Sequence, residues 1–142
     1  MRLSDQPEYK AAIPAALDGD FATARYNLRA LMARADAEGD KASAGYLRHI
    51  LGDIEAKAGN PTLGHSLHLE AIALDPQSPL SLLLYAQGLL RAFREPDLAK
   101  ARLTEAKTLL GTSPPSDSNE LPPEWYEKEF DELHQEIYRF EL

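Results

Sequence analysis

Residues 46–76, YLRHILGDIEAKAGNPTLGHSLHLEAIALDP, constrain the fold more than any other stretch of the chain. The stretch reads as two antiparallel helices joined by a short turn. The first helix runs to about Lys57, and Ala58-Gly59-Asn60-Pro61 supplies a stop and a restart. Gly59 suits the left-handed position after a helix, and Pro61 suits the first turn of the next. The second helix ends at Leu74-Asp75-Pro76, because a residue before proline avoids the helical region.

The same punctuation organises the rest. Asp5 is placed to cap a first helix, with Pro7 in its first turn and Glu8 completing a capping box. Pro14 is expected to kink or shorten that helix, which stops around Asp18-Gly19-Asp20. A second helix runs from Phe21 to about Ala37, with Phe21, Ala24, Leu28, Leu31 and Ala35 at the helical period, and Glu38-Gly39-Asp40 ends it. After the turn Asp75–Pro79, a fifth helix extends from about Pro79 to Phe93 and is apolar almost all round, so it is expected to have neighbours on both faces. A sixth runs from about Asp97 to Leu110. Gly111–Asn119 has the composition of a linker. A last helix starts near Pro122-Pro123, with Trp125, Tyr126, Phe130, Leu133 and Ile137 on one side and acids elsewhere. Nothing alternates long enough to be a strand.

Overlaying the helix pairs shows an internal repeat. Leu28 falls on His68 and Leu31 on Ala71, both at an offset of 40 residues. His68 then matches Leu103, Ala71 matches Ala106 and Gly64 matches Ala99, at an offset of 35. Small side chains at Gly52, Gly64, Ala71, Ala86, Ala99 and Ala106 let helix backbones approach, while Leu28, Leu51, Leu82 and Leu103 fill the space between.

Leu51-Gly52, Gly59, Gly64, Ala71-Ile72 and Leu74-Asp75-Pro76 together resemble the tetratricopeptide repeat family, and Gly19-Asp20-Phe21 with Ala24 extends the likeness to the first pair. The resemblance implies an all-α solenoid of three antiparallel helix pairs (about 5–38, 45–78 and 79–112) in one domain, capped by an acidic C-terminal helix (about 122–140). The chain departs from the family pattern at identifiable places. Arg48 stands where a large apolar residue is usual, Glu55 and His68 where aromatics are usual, and Glu95-Pro96 where a turn glycine is usual. The first spacing also exceeds the family's typical ~34 residues.

Charge and composition narrow the function classes. Residues 1–113 carry 14 acidic and 13 basic side chains, while residues 114–142 carry nine and two, which together give the net charge of −8. A near-neutral body with an acidic end lacks the basic footprint of a nucleic-acid binder. The longest apolar run, Leu82–Ala86, is far short of the roughly 20 residues a membrane span needs, so no membrane partner is expected. No apolar run follows Arg2, so no signal peptide is read at Met1–Pro7. Cysteine is absent, which removes disulfides and thiolate metal sites and fits a cytoplasmic protein.

The resemblance also implies a concave surface lined by the first helix of each pair, which holds a protein or peptide segment. Carried over by position, it presents Tyr9, Tyr46, His49, Asp53, Leu83, Gln87 and Arg91. The family's carboxylate-binding version uses Lys, Asn and Arg at such places, and His49 and Asp53 do not supply them. The plainer reading puts Tyr46 and Leu83 in the core and the others in solvent. His65 and His68 are spaced to share a helix face as half of a metal site, but no third ligand is evident and no metal or other cofactor is expected. No serine has a nucleophile-elbow setting and no glycine loop cradles phosphate, so the chain reads as a non-enzymatic adaptor or chaperone-like module. The alternative is an immunity or inhibitor protein that neutralises a basic toxin through Glu127, Asp131 and Glu132. A fifth helix left uncovered within one chain would imply a homodimer.

Overall fold

The computed structural model describes residues 1–112 and 121–142, and is helical with no strand among them. After a short 3-10 turn at Leu3–Asp5 come α1 (Pro7–Leu17), α2 (Phe21–Glu38), α3 (Lys41–Lys57), α4 (Pro61–Leu74), α5 (Pro79–Arg91), α6 (Pro96–Thr112) and α7 (Pro123–Glu141). These helices gather into two compact units, Met1–Pro76 and Gln77–Leu142, which meet in sequence at the two-proline turn. The linker composition at Gly111–Asn119 falls partly inside α6, whose last residues are Gly111 and Thr112, and Ser113–Asn119 lie outside the described residues.

Local chemistry sets the helix ends. Gly39 and Gly59 take φ of 69° and 94°, the left-handed geometry that closes α2 and α3 at no steric cost. Asp20, Asp40 and Ser78 each accept the backbone N–H three residues on, at 3.2, 3.2 and 3.1 Å. Asp40 therefore ends nothing by itself: it caps α3, which begins at Lys41, well before Tyr46. The α5–α6 turn has no glycine, and Arg94 adopts the left-handed conformation instead, at φ 61°. Its guanidinium sits 4.5 Å from the centre of the Phe140 ring, a cation–π contact that helps hold the strained residue.

One expectation at the first helix needs correction. Asp5 does not cap α1. It lies in the 3-10 turn, Gln6 is the residue before the helix, and Gln6 makes no side-chain cap bond. Glu8 leaves the capping-box role because Arg34 of α2 binds it at 2.6 Å, and a guanidinium is a stronger partner than a neutral amide. Pro14 lies inside α1, which ends at Leu17 with Asp18 as its C-cap, where the sequence places the stop.

In the first unit α1 packs on α2, α2 on α3, and α3 on α4. The core comprises Ala12, Ala24, Leu28, Leu31, Ala35, Ala44, Leu47, Leu51, Ile54 and Leu67. Each buried leucine contributes about 2 kcal/mol of burial. In the second unit α5 packs on α6, and α7 lies against both. Tyr126, Phe130, Leu133 and Ile137 of α7 are buried, with Trp125 edge-on to Tyr126 at 5.2 Å. The small residues at the proposed helix contacts, Gly52, Gly64, Ala71, Ala86, Ala99 and Ala106, are all buried. No helix among the described residues is long and apolar enough to cross a membrane.

Candidate functional site

Helix α3 carries most of the chemistry of the first unit, and its faces differ. On the outer side Tyr46, Ile50 and Asp53 recur at helical spacing and are half-buried or partly exposed. Tyr46 is 38% exposed. Burial first, and then the neighbouring Tyr9 of α1, push its pKa up to about 12. Tyr9 and Ile50 both pack against the core while staying partly open. Tyr46 and Asp53 thus share one side of α3, with Tyr9 of α1 beside Tyr46.

His49 does not belong to that surface. It is only 3% exposed and turns toward α4, so its place in the expected groove is corrected. Its Nδ1 lies 2.6 Å from Nδ1 of His68, which is itself fully buried. The other ring nitrogen of His68 lies 2.7 Å from Asp53 Oδ1. An ionised carboxylate only accepts, so His68 donates Nε2–H to it. A chain of hydrogen bonds therefore runs from the partly exposed Asp53, through His68, to His49. Burial first, and then the neighbouring His68, push the His49 pKa down to about 3. Gly52 makes room for the His68 ring, since a Cβ there would lie 2.7 Å from His68 Cδ2. His68, read from the sequence as sharing a helix face with His65, points inward to α3. No group of three or more candidate metal ligands occurs among the described residues.

The other departures from the repeat pattern are satisfied in the same way. Glu55 is 1% exposed and binds Arg25 of α2 through both oxygens, at 2.7 and 2.9 Å. Arg29 lies 3.7 Å away and Asn60 donates at 3.3 Å. The Arg25 guanidinium holds the Glu55 carboxyl below the usual carboxylate range against the opposing effect of burial. Arg48 bridges Asp36 of α2 at 2.9 Å and Glu70 of α4 at 3.2 Å.

The second unit places its named residues differently again. Leu83 is fully buried, a core residue rather than a groove residue. Gln87 donates to Glu129 at 3.2 Å, and Arg91 forms a two-pronged pair with Glu136 at 2.7 and 2.9 Å. Both are thereby engaged by α7, whose acids sequence reasoning assigned only to solvent or a partner. Glu127, Asp131 and Glu132 are exposed, and none forms an ion pair among the described residues. An open depression of about 680 Å³ at the α3–α4 turn, lined by Gly59–Leu63 and Ser66, includes none of the named residues. No family model, no curated protein and no solved structure matches this chain.

Proposed function

We propose that the chain is a non-enzymatic interaction module, a tetratricopeptide-like series of helix pairs, which binds a protein or peptide segment across α1 and α3. The observation that carries this reading is the Tyr9–Tyr46 pair. Two aromatic side chains close enough to interact, on α1 and α3 of one compact unit, stand partly out of the core. Tyrosine is the kind of residue that anchors interfaces: large, stiff and amphipathic. Ile50 beside it extends the apolar strip, and Asp53 supplies a polar end. The test is affinity capture from the source cells with the intact protein and with a Tyr9→Ala/Tyr46→Ala double variant. A specific protein retained at least about tenfold less by the variant, which is checked to remain folded by its cooperative unfolding, is the expected result. Equal retention by both proteins, or stabilisation by a small metabolite with no protein captured, contradicts the reading.

A second reading rests on α7. Glu129 and Glu136 are consumed by contacts inside the unit, whereas Glu127, Asp131 and Glu132 remain open to solvent. That division suits docking of a basic protein, as an immunity or inhibitor protein would require. It predicts binding that weakens steeply between about 0.05 and 0.5 M salt, as the screening length shrinks. Replacing Glu127, Asp131 and Glu132 together by Gln should slow association about tenfold and leave dissociation nearly unchanged. Salt-independent binding to any captured partner removes this reading.

A further inference from the structure

We propose that His49, His68 and Asp53 form an acid-sensitive latch that closes α3 on α4 at neutral pH and releases it as the pH falls below that of ordinary histidine titration. The geometry is the argument. The two Nδ1 atoms face each other at 2.6 Å, and both rings are buried. One proton lies between those nitrogens, whichever ring carries it. Two cannot, because two N–H groups would then point at each other across a hydrogen-bond distance. His68 already commits Nε2 to Asp53. The closed pair therefore always holds at least one proton fewer than two fully charged imidazoles.

The unfolded chain has no such limit. Its histidines titrate near 6.5 and take up both protons below that pH. The folded pKa of His49 is depressed, toward 3. The stabilisation is accordingly full above 6.5 and is lost progressively as the pH falls toward the folded value. The charged groups on the packed helices have partners of their own. On α2, Arg25 and Arg29 are turned to Glu55, and Asp36 holds Arg48. On α4, Glu70 also holds Arg48, and His65 stands one turn before His68, adding no negative charge. Asp53 of α3 touches the pair, and it meets His68 on the side away from His49.

The repeat shows how to remove the latch without removing the packing. His68 occupies the place that Leu28 and Leu103 fill in the other two pairs, and all three are buried. A His49→Leu/His68→Leu double variant thus puts apolar side chains at core positions. The measurement is urea unfolding of the full chain at intervals between pH 6.5 and 5, where carboxylates remain ionised in both states. One excluded proton changes the unfolding equilibrium by up to tenfold per pH unit, and the unfolded histidine is already half-protonated at 6.5, so the natural sequence should shift by roughly fifteenfold over the window. The double variant should shift by less than about threefold. A flat response of the natural sequence, or the same slope in the variant, overturns the proposal. Should the variant not fold, the imidazole resonances of the natural protein decide: a His49 ring that titrates near 6.5 in the folded state overturns it, and one that remains uncharged at pH 5 supports it.

Discussion

Gly52→Ala should destabilise the protein by about 3 kcal/mol, although the same change in most helices stabilises by about 1 kcal/mol. The added methyl would lie 2.8 Å from the backbone oxygen of Gly64 and 2.7 Å from Cδ2 of His68. A side chain can rotate away, but a helix carbonyl moves only with its helix. So α3 and α4 must separate, which loosens the packing of Leu67 and Ala71 and stretches the His68–Asp53 bond. Gly45 provides the control on the same helix. A methyl there meets Ala71 O at 3.8 Å, an ordinary contact. Gly45→Ala is expected to be neutral or stabilising by up to about 1 kcal/mol, because it gains helix propensity without strain. Urea unfolding of both variants under identical conditions checks the pair. Equal stabilities for the two would show that the approach of α3 to α4 at Gly52 is not tight.

The contrast between these glycines also shows what a sequence reveals. Their helix is legible from its punctuation, and so are the other helices, because glycine, proline and capping acids act on their own neighbours. The small residues at repeat offsets are legible for a similar reason: a fixed interval in the sequence becomes a fixed seam in the structure. Arg48, Glu55 and His68 are visible as polar residues at apolar places. Their partners are not. Arg25 is 30 residues from Glu55 and His49 is 19 from His68. Helical spacing relates only residues three or four apart, so it placed His49 with Asp53 on one surface and paired His65 with His68. The rotation of α3 against α4, fixed by Gly52, turns His49 inward instead. Gln87 and Arg91 were legible as a polar face of α5, but the arrival of α7 over that face depends on tertiary packing. An acid at Glu55, where an aromatic is usual, was the visible signal of a buried ion pair, but Arg25 carried no mark in the sequence of being its partner.

That buried pair gives the second large effect. Glu55→Ala should cost about 2–3 kcal/mol, less than the 3–5 of a fully enclosed ion pair because the Arg25 side chain, 31% exposed, can turn partly to water. The loss combines three things: the two charge-assisted bonds, the bond from Asn60, and a cavity where a carboxylate was 1% exposed. Acid should mimic the mutation. Arg25 keeps the Glu55 carboxyl below its ordinary 4.5, so the pair stabilises fully above that value and the contribution disappears as the pH falls through the lowered pKa. This window lies beneath that of the histidines, so the two effects separate on one pH titration. A Glu55→Leu/Arg25→Leu double variant tests whether the pair adds net stability or only satisfies itself. Replacing both partners with apolar groups removes the desolvation penalty along with the attraction, and the double variant should come within about 1 kcal/mol of the natural protein. Glu55→Leu alone should remain well below it, because Arg25 and Arg29 then face an apolar neighbour with no counter-charge. If the single and double variants are equally unstable, the damage comes from shape and not from charge, and the account of Glu55 as one half of a coupled pair is wrong.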